Sequence, residues 1–175
     1  SARDYEAVGI SFDERWPRFE ESTLMLRRIF AGEEPADGAF YAGSEVAAEM
    51  RPRPARPIPI WIGSWGSKAG LRRVARLGDG WLASAYNTTP LEFELAKARL
   101  DLELQRQGKP PAGFANGLAT MWLRITEGAG EAEAILADVL APAVKRDPDF
   151  LRPRVCVGSA DHCAELLRGY SEAGL

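Results

Sequence analysis

The sequence predicts an α/β fold with parallel strands, and three observations carry that prediction. Pro57 to Trp81 (P-I-P-I-W-I-G-S-W-G-S-K-A-G-L-R-R-V-A-R-L-G-D-G-W) reads as a β-branched stretch, a turn of small residues, a helical pattern and a second apolar stretch. Three apolar stretches, Ile58 to Ile62, Trp81 to Tyr86 and Gly117 to Thr126, alternate with helical patterns long enough to cross over between parallel strands. The last two stretches are apolar almost throughout instead of alternating, as expected of strands covered on both faces.

Each element has its own justification. Asp4 to Val8 is a short helical turn stopped by Gly9, and Ser11 with Glu14 has capping-box spacing ahead of a longer helix. That helix begins near Trp16 with Pro17 in its first turn; Phe19, Thr23, Leu26 and Phe30 share the face expected to pack on a sheet, and Gly32 ends it. Gly32 to Arg56 is irregular, with Asp37-Gly38 as a turn, Pro35, Pro52 and Pro54 excluding helix, and Phe40, Tyr41, Val46 and Met50 as apolar anchors. A connection this long reads as a lid or crossing segment rather than a domain boundary.

Lys68 to Leu77 is a helix with Leu71, Val74, Ala75 and Leu77 inward, Arg72, Arg73 and Arg76 outward, and Gly78 as its stop. Thr89, Pro90 and Glu92 start the next helix, which runs to about Gln107 with Leu91, Leu95, Ala98 and Leu102 on one stripe. Glu131 to Leu140 is a helix that Pro142 bends, Val155 to Val157 is briefly extended, and Asp161 to Tyr170 is a last amphipathic helix using Ala164, Leu166, Leu167 and Tyr170.

Composition narrows the functional classes. With 175 residues, 46% of them hydrophobic and 27% charged, the chain is long enough for one domain with a real core. A net charge of −3 offers no basic field for nucleic acid, and the arginines at 51, 53 and 56 are interrupted by prolines. Cys156 and Cys163 lack C-x-x-C spacing and the single histidine cannot complete a zinc set, so no metal is expected and both read as free thiols of a cytoplasmic protein. No apolar run approaches the roughly 20 residues of a membrane span, and the chain opens abruptly at Ser1 with neither Met nor a leader.

At Ile60-Trp61-Ile62-Gly63-Ser64, followed 15 residues after Ser64 by Asp79-Gly80-Trp81, the sequence resembles the bacterial luciferase-like family of flavin- or deazaflavin-dependent oxidoreductases. Tyr5 to Phe12, Arg15, Glu21, Asp37-Gly38 with Tyr41, Val157-Gly158-Ser159 and Glu172-Ala173-Gly174 extend the likeness over nearly the whole chain. The resemblance implies a (β/α)8 TIM barrel, of which residues 1–175 would form a single partial domain. It would hold strands five (Ile58 to Ile62), six (Trp81 to Ser84) and seven (Leu118 to Ile125) with their flanking helices; a fragment of a larger protein is expected, the alternative being a truncated product that must dimerise or remain partly open, and the protein is expected to be a homodimer.

It also implies an oxidoreductase or monooxygenase that uses coenzyme F420 or FMN on a small-molecule substrate, with a lean towards the deazaflavin. Gly63, Ser64, Trp65, Gly66 and Ser67, the loop after strand five, and Ser84, at the end of strand six, would bind the cofactor at the carboxyl-terminal face of the barrel. Glycines permit close backbone approach, serines donate hydrogen bonds, and the start of the Lys68 helix supplies oriented N–H groups. A tight βα turn with Ser67 as a plain N-cap is the bland alternative, and Tyr86 and Asn87 are read either as site or as ordinary loop residues. Asp79-Gly80 reads as a turn, Met121 and Trp122 as core, His162 as a surface cap, and Arg15 and Glu21 as partners in a tertiary or intersubunit salt bridge. The catalytic acid or base is expected in the missing first four strands. Two other readings stand beside this one: a cofactor-free or non-enzymatic barrel fragment, and a phosphosugar-binding α/β enzyme, for which only Lys68 offers a nearby cation.

Overall fold

The computed structural model describes residues 1–43, 49, 51–52, 54–120 and 122–175. Val46, Met50, Arg53 and Met121 lie outside the described residues. The chain forms two compact units, Ser1–Ile60 and Trp61–Leu175.

The first unit is helical. Helix α1 (Ala2–Ala7) is followed by a 3-10 turn at Phe12–Glu14 and the longer α2 (Arg15–Ala31). Ser11 caps the 3-10 turn by accepting from the Asp13 N–H (3.3 Å), while Glu14 turns instead to Arg18 (2.8 Å), so the expected capping box does not form. Pro17 does fall in the first turn of α2, where its missing N–H is harmless. Of the face expected to pack inward only Thr23 is buried, and Leu26 stays exposed.

Within the chain Glu21 and Arg15 do not pair. The Glu21 carboxylate accepts from three consecutive backbone N–H groups, Ala39 (2.9 Å), Phe40 (2.9 Å) and Tyr41 (2.8 Å), and so pins the Asp37–Tyr41 turn onto α2. Arg15 donates to the Phe12 carbonyl (2.7 Å) and lies over the Phe12 ring (3.8 Å). Backbone donors satisfy a carboxylate as well as a guanidinium does, and here they are nearer.

The second unit is α/β. Strands β1 (Trp61–Gly63), β2 (Gly80–Ser84) and β3 (Ala115–Ala119) form a wholly parallel sheet in the order β1-β2-β3. Helix α3 (Lys68–Leu77) joins the first pair and α4 (Pro90–Arg106) the second. Strand β1 starts three residues later than the sequence suggests, because Pro59 has no N–H for a ladder. The stretch expected as one third strand breaks in two. Strand β4 (Leu123–Ile125) leaves the first sheet and pairs in parallel with β5 (Cys156–Gly158).

The two faces of the three-stranded sheet differ. Ile62, Trp81 and Ala83 are buried under α3 and α4, whereas Trp61 and Leu82 point to the open side. There the Trp61 indole sits over Gly80 and Gly117, so close that a Cβ on either glycine would stand 2.7 Å and 2.9 Å from ring atoms. Gly80 is therefore a residue of β2 kept small by its neighbour, not the turn residue expected from Asp79-Gly80.

Helix α3 has the expected bounds and the expected inward face, and Lys109 closes its last turn by donating to the Gly78 carbonyl (3.1 Å). Helix α4 starts on the expected capping box, with Thr89 and Glu92 bonding reciprocally. Its orientation is the reverse of the expected one. Phe93, Ala96, Leu100 and Leu104 are buried, while Leu91, Leu95 and Leu102 are 64%, 50% and 55% exposed. A second core gathers Leu136, Leu140, Leu151, Val155 and Val157, with Tyr86 and Trp122 packed against it in edge contact at 5.5 Å. Its helix, α5 (Ala129–Ala134), widens to π-helical turns at Ile135–Leu140 before α6 (Ala141–Val144), where Pro142 withholds an N–H. A short α7 (Pro148–Leu151) was not anticipated. The last helix, α8 (Ala160–Glu172), buries Tyr170 as expected but Cys163 in place of Ala164 and Leu167, which are exposed.

Candidate functional site

The carboxyl ends of β1 and β2 lie side by side, because the parallel register sets Gly63 against Leu82 and the Ser64 N–H donates to the Leu82 carbonyl (3.1 Å). Loop 63–67 and the turn after Ser84 therefore open on one edge. Gly63 faces free space, and Gly66 has φ +84, a left-handed conformation that favours glycine; a Cβ there would stand 3.2 Å from Ala96. Trp65 projects outward at 66% exposure.

The two serines of the loop do different work. Ser67 is the N-cap of α3, its Oγ accepting from the Gly70 N–H (3.1 Å). That leaves the Lys68 and Ala69 N–H groups at the positive end of the helix without an acceptor among the described residues. Ser64 is buried and turned beneath the loop towards Gly70, where its Oγ accepts from the Gly66 N–H (3.3 Å). Gly70 has to be a glycine because Ser64 fills the space of its Cβ.

Ser84 is half-buried on the same sheet face as Trp61 and Leu82, and its Oγ accepts from Asn87 Nδ2 (3.0 Å). Asn87 thus shapes the turn, while Tyr86 of the same turn packs against the second core. His162 is half-buried, its N–H donating to the capping Ser159 Oγ (3.2 Å), so the serine and not the imidazole does the capping. Among the described residues no three His, Cys, Asp or Glu side chains gather as metal ligands, and no helix is long and apolar enough to cross a membrane. Cys156 and Cys163 are neighbouring free thiols with no disulfide between them; burial, with Cys163 beside it, pushes the Cys156 thiol up.

Two hydrogen bonds that position this edge escape a reading of motifs. Trp81 Nε1–H donates to the Ser64 carbonyl (3.1 Å), and Tyr170, 82 residues further along than Thr88, donates its hydroxyl to the Thr88 carbonyl (2.6 Å). Phe93 joins them, stacked on Trp81 (5.0 Å, 8°) and edge-on to Tyr170 (5.8 Å, 84°). The available signal was a Trp and a Tyr in apolar surroundings, since a buried N–H or O–H needs an acceptor.

Parallel strands, a small-residue loop opening a helix and free N–H groups at the carboxyl edge define an α/β protein, with that edge as its candidate site. The luciferase-like monooxygenase profile matches residues 1–140, and the chain belongs to that family. It is 32% identical to the 5,10-methylenetetrahydromethanopterin reductase of Archaeoglobus fulgidus over 63% of this chain and 32% of that one. It is 28% identical to the F420-dependent glucose-6-phosphate dehydrogenase of Beutenbergia cavernae over 79% of this chain and 34% of that one. Among solved structures the fold is similar to that of monooxygenase RslO1 from Streptomyces bottropensis, with a TM-score of 0.72 at 22% identity over 98% of this chain and 55% of that one. The chain thus spans about a third of the length of these curated relatives and about half of that structure.

Proposed function

We propose that this chain is the cofactor-loop portion of a luciferase-like (β/α)8 barrel oxidoreductase, contributing strands five to seven as β1, β2 and β3, and that it holds a deazaflavin or flavin against loop 63–67. The observation that carries the reading is the pair of free N–H groups of Lys68 and Ala69 beside the open space at Gly63. Those donors suit the carbonyl-rich edge or phosphate of either cofactor, and Trp65 offers an exposed aromatic face for stacking. The F420-dependent name of a relative favours the deazaflavin. When bound, the cofactor supplies the hydride chemistry or the activation of oxygen.

The residues of this chain bind, orient and exclude water. Gly63 admits the ring to the backbone, Ser67 aims the helix, and Ser64 supports the loop from below. Ser84 and Asn87 form the neighbouring rim. Trp61 and Leu82 give the open side of the sheet an apolar surface on which a ring can lie shielded from water.

Titration with coenzyme F420 and with FMN, followed by cofactor fluorescence, tests the assignment. The Gly66→Asp variant should bind more weakly than Gly66→Asn, because both residues tolerate a left-handed backbone but only Asp adds a repelling charge beside the donors. A colourless protein indifferent to both cofactors supports the cofactor-free alternative and overturns the proposal.

A further inference from the structure

Helix α3 carries Lys68, Arg72, Arg73 and Arg76 and no acidic residue. Where it runs beside α4 the two helices enclose a groove of about 340 Å³, lined by Lys68, Leu71, Arg99, Leu102, Glu103 and Arg106. Glu103 is 7% exposed and holds Arg106 (2.7 Å) and, more loosely, Arg72 (3.9 Å). Two guanidinium groups over one buried carboxylate leave that end of the groove with a net positive charge. Lys68 and Arg99, exposed on opposite walls, have neither an ion pair nor a side-chain hydrogen bond among the described residues. Cations that converge on a groove from two helices repel one another, and an anion between them turns that repulsion into attraction.

Place and length select the anion. The groove opens at Lys68, the first residue of α3, directly behind loop 63–67. Gly66 of that loop lies against α4, where an added Cβ would stand 3.2 Å from Ala96, so loop and groove are continuous. From Arg99 to Arg106 the helix rises ~10 Å, which suits a row of negative groups better than a single one. The γ-linked glutamate tail of coenzyme F420 has that form, a chain with a carboxylate on each unit, whereas FMN ends at its phosphate.

We propose that the α3–α4 groove receives the acidic tail of a deazaflavin whose ring lies at loop 63–67. The inference rests on the cofactor reading and deepens it, because such a groove serves coenzyme F420 and not FMN. Lys68 and Arg99 meet the first carboxylates, Arg106 and Arg72 the later ones, and Leu71 and Leu102 pack on the methylene groups between them.

A γ-linked triglutamate peptide, which has no ring, tests the groove apart from the loop. Added to the 175-residue chain, it should move the amide resonances of Lys68, Arg99 and Arg106. Fluorescence titration then compares the deazaflavin nucleoside, without phosphate or tail, with coenzyme F420 of short and long tail. Affinity should rise with tail length, and the gain should shrink as salt is added. Arg99→Glu should weaken binding of the long-tailed form about fivefold and leave the nucleoside unaffected, while Arg99→Lys should keep most of the gain. Peptide shifts without a response to any deazaflavin overturn the cofactor reading and, with it, the tail as occupant. Deazaflavin binding that is indifferent to tail length, a peptide that moves none of the three resonances, or an Arg99→Glu variant that weakens the nucleoside equally overturns this inference alone.

Discussion

Replacing Tyr170 by Phe deletes one buried oxygen and leaves the ring in place. Tyr170 is 1% exposed and its hydroxyl bonds the Thr88 carbonyl at 2.6 Å. Without it that carbonyl loses its donor in a dry site, which costs about 1–3 kcal/mol. A mid-range loss of about 2 kcal/mol lowers the urea midpoint by about 1 M at a slope of about 2 kcal/mol/M, and lowers the melting temperature by about 4–8 °C for a chain of this size. Burial also pushes the Tyr170 phenol above its ordinary pKa. The folded chain then keeps the proton where the unfolded chain ionises, near pH ~10, so the tyrosine's contribution is whole below that pH and declines above it. Paired urea titrations at neutral pH and in the alkaline range measure both effects. A midpoint equal to that of the unsubstituted chain, or a gap between the two proteins that does not narrow with rising pH, refutes the reasoning.

Gly80→Ala should push the Trp61 indole off the sheet. A cost of about 1–3 kcal/mol and an altered near-ultraviolet circular dichroism spectrum are expected, and an unchanged spectrum would count against the close packing. Glu21→Gln leaves one acceptor oxygen for three N–H groups, so amide exchange at Ala39, Phe40 and Tyr41 should quicken. The carboxyl of Glu21 is held low despite the burial that raises it, because those N–H groups favour its charged form. Its grip is therefore whole above the ordinary glutamate pKa of about 4.3 and weakens as the pH falls through the lowered value. Exchange at the three amides, corrected for intrinsic rate, should rise on acidification in the unsubstituted chain and stay flat in the variant.

Legibility in the sequence followed how local each cause is. Helix α3 and the start of α4 could be placed because their signals, Ser67, Thr89 and Glu92, act within a few residues. The inward face of α4 could not, because the helix carries two apolar stripes with the same period, and the choice rests on Phe93 meeting Trp81 across the sheet. The break between β3 and β4 was hidden for a similar reason: an apolar run shows that residues are buried but not which sheet receives them. In the candidate site the loop was legible as glycines and serines. The downward turn of Ser64 was not, since it depends on Gly70, six residues away, leaving room for it.

The loop's free N–H groups raise a physical question, because unpaired donors at an edge tend to be satisfied by the chain itself. Loop 63–67 cannot fold over to do so. It is fixed from below, with the Ser64 carbonyl held by Trp81 and the Ser64 hydroxyl by Gly66. The turn after β2 is fixed in the same way through Tyr170. Phe93 lies between the two hydrogen-bonded aromatic rings, so one buried stack braces both rims of the edge. Stacked rings resist sliding more than aliphatic side chains do, which makes Phe93→Leu the sharper test of this bracing. It removes no hydrogen bond and should still loosen both loops, visible as faster amide exchange at Ser64 and Thr88 together; a change at one loop alone would mean that the two are braced separately.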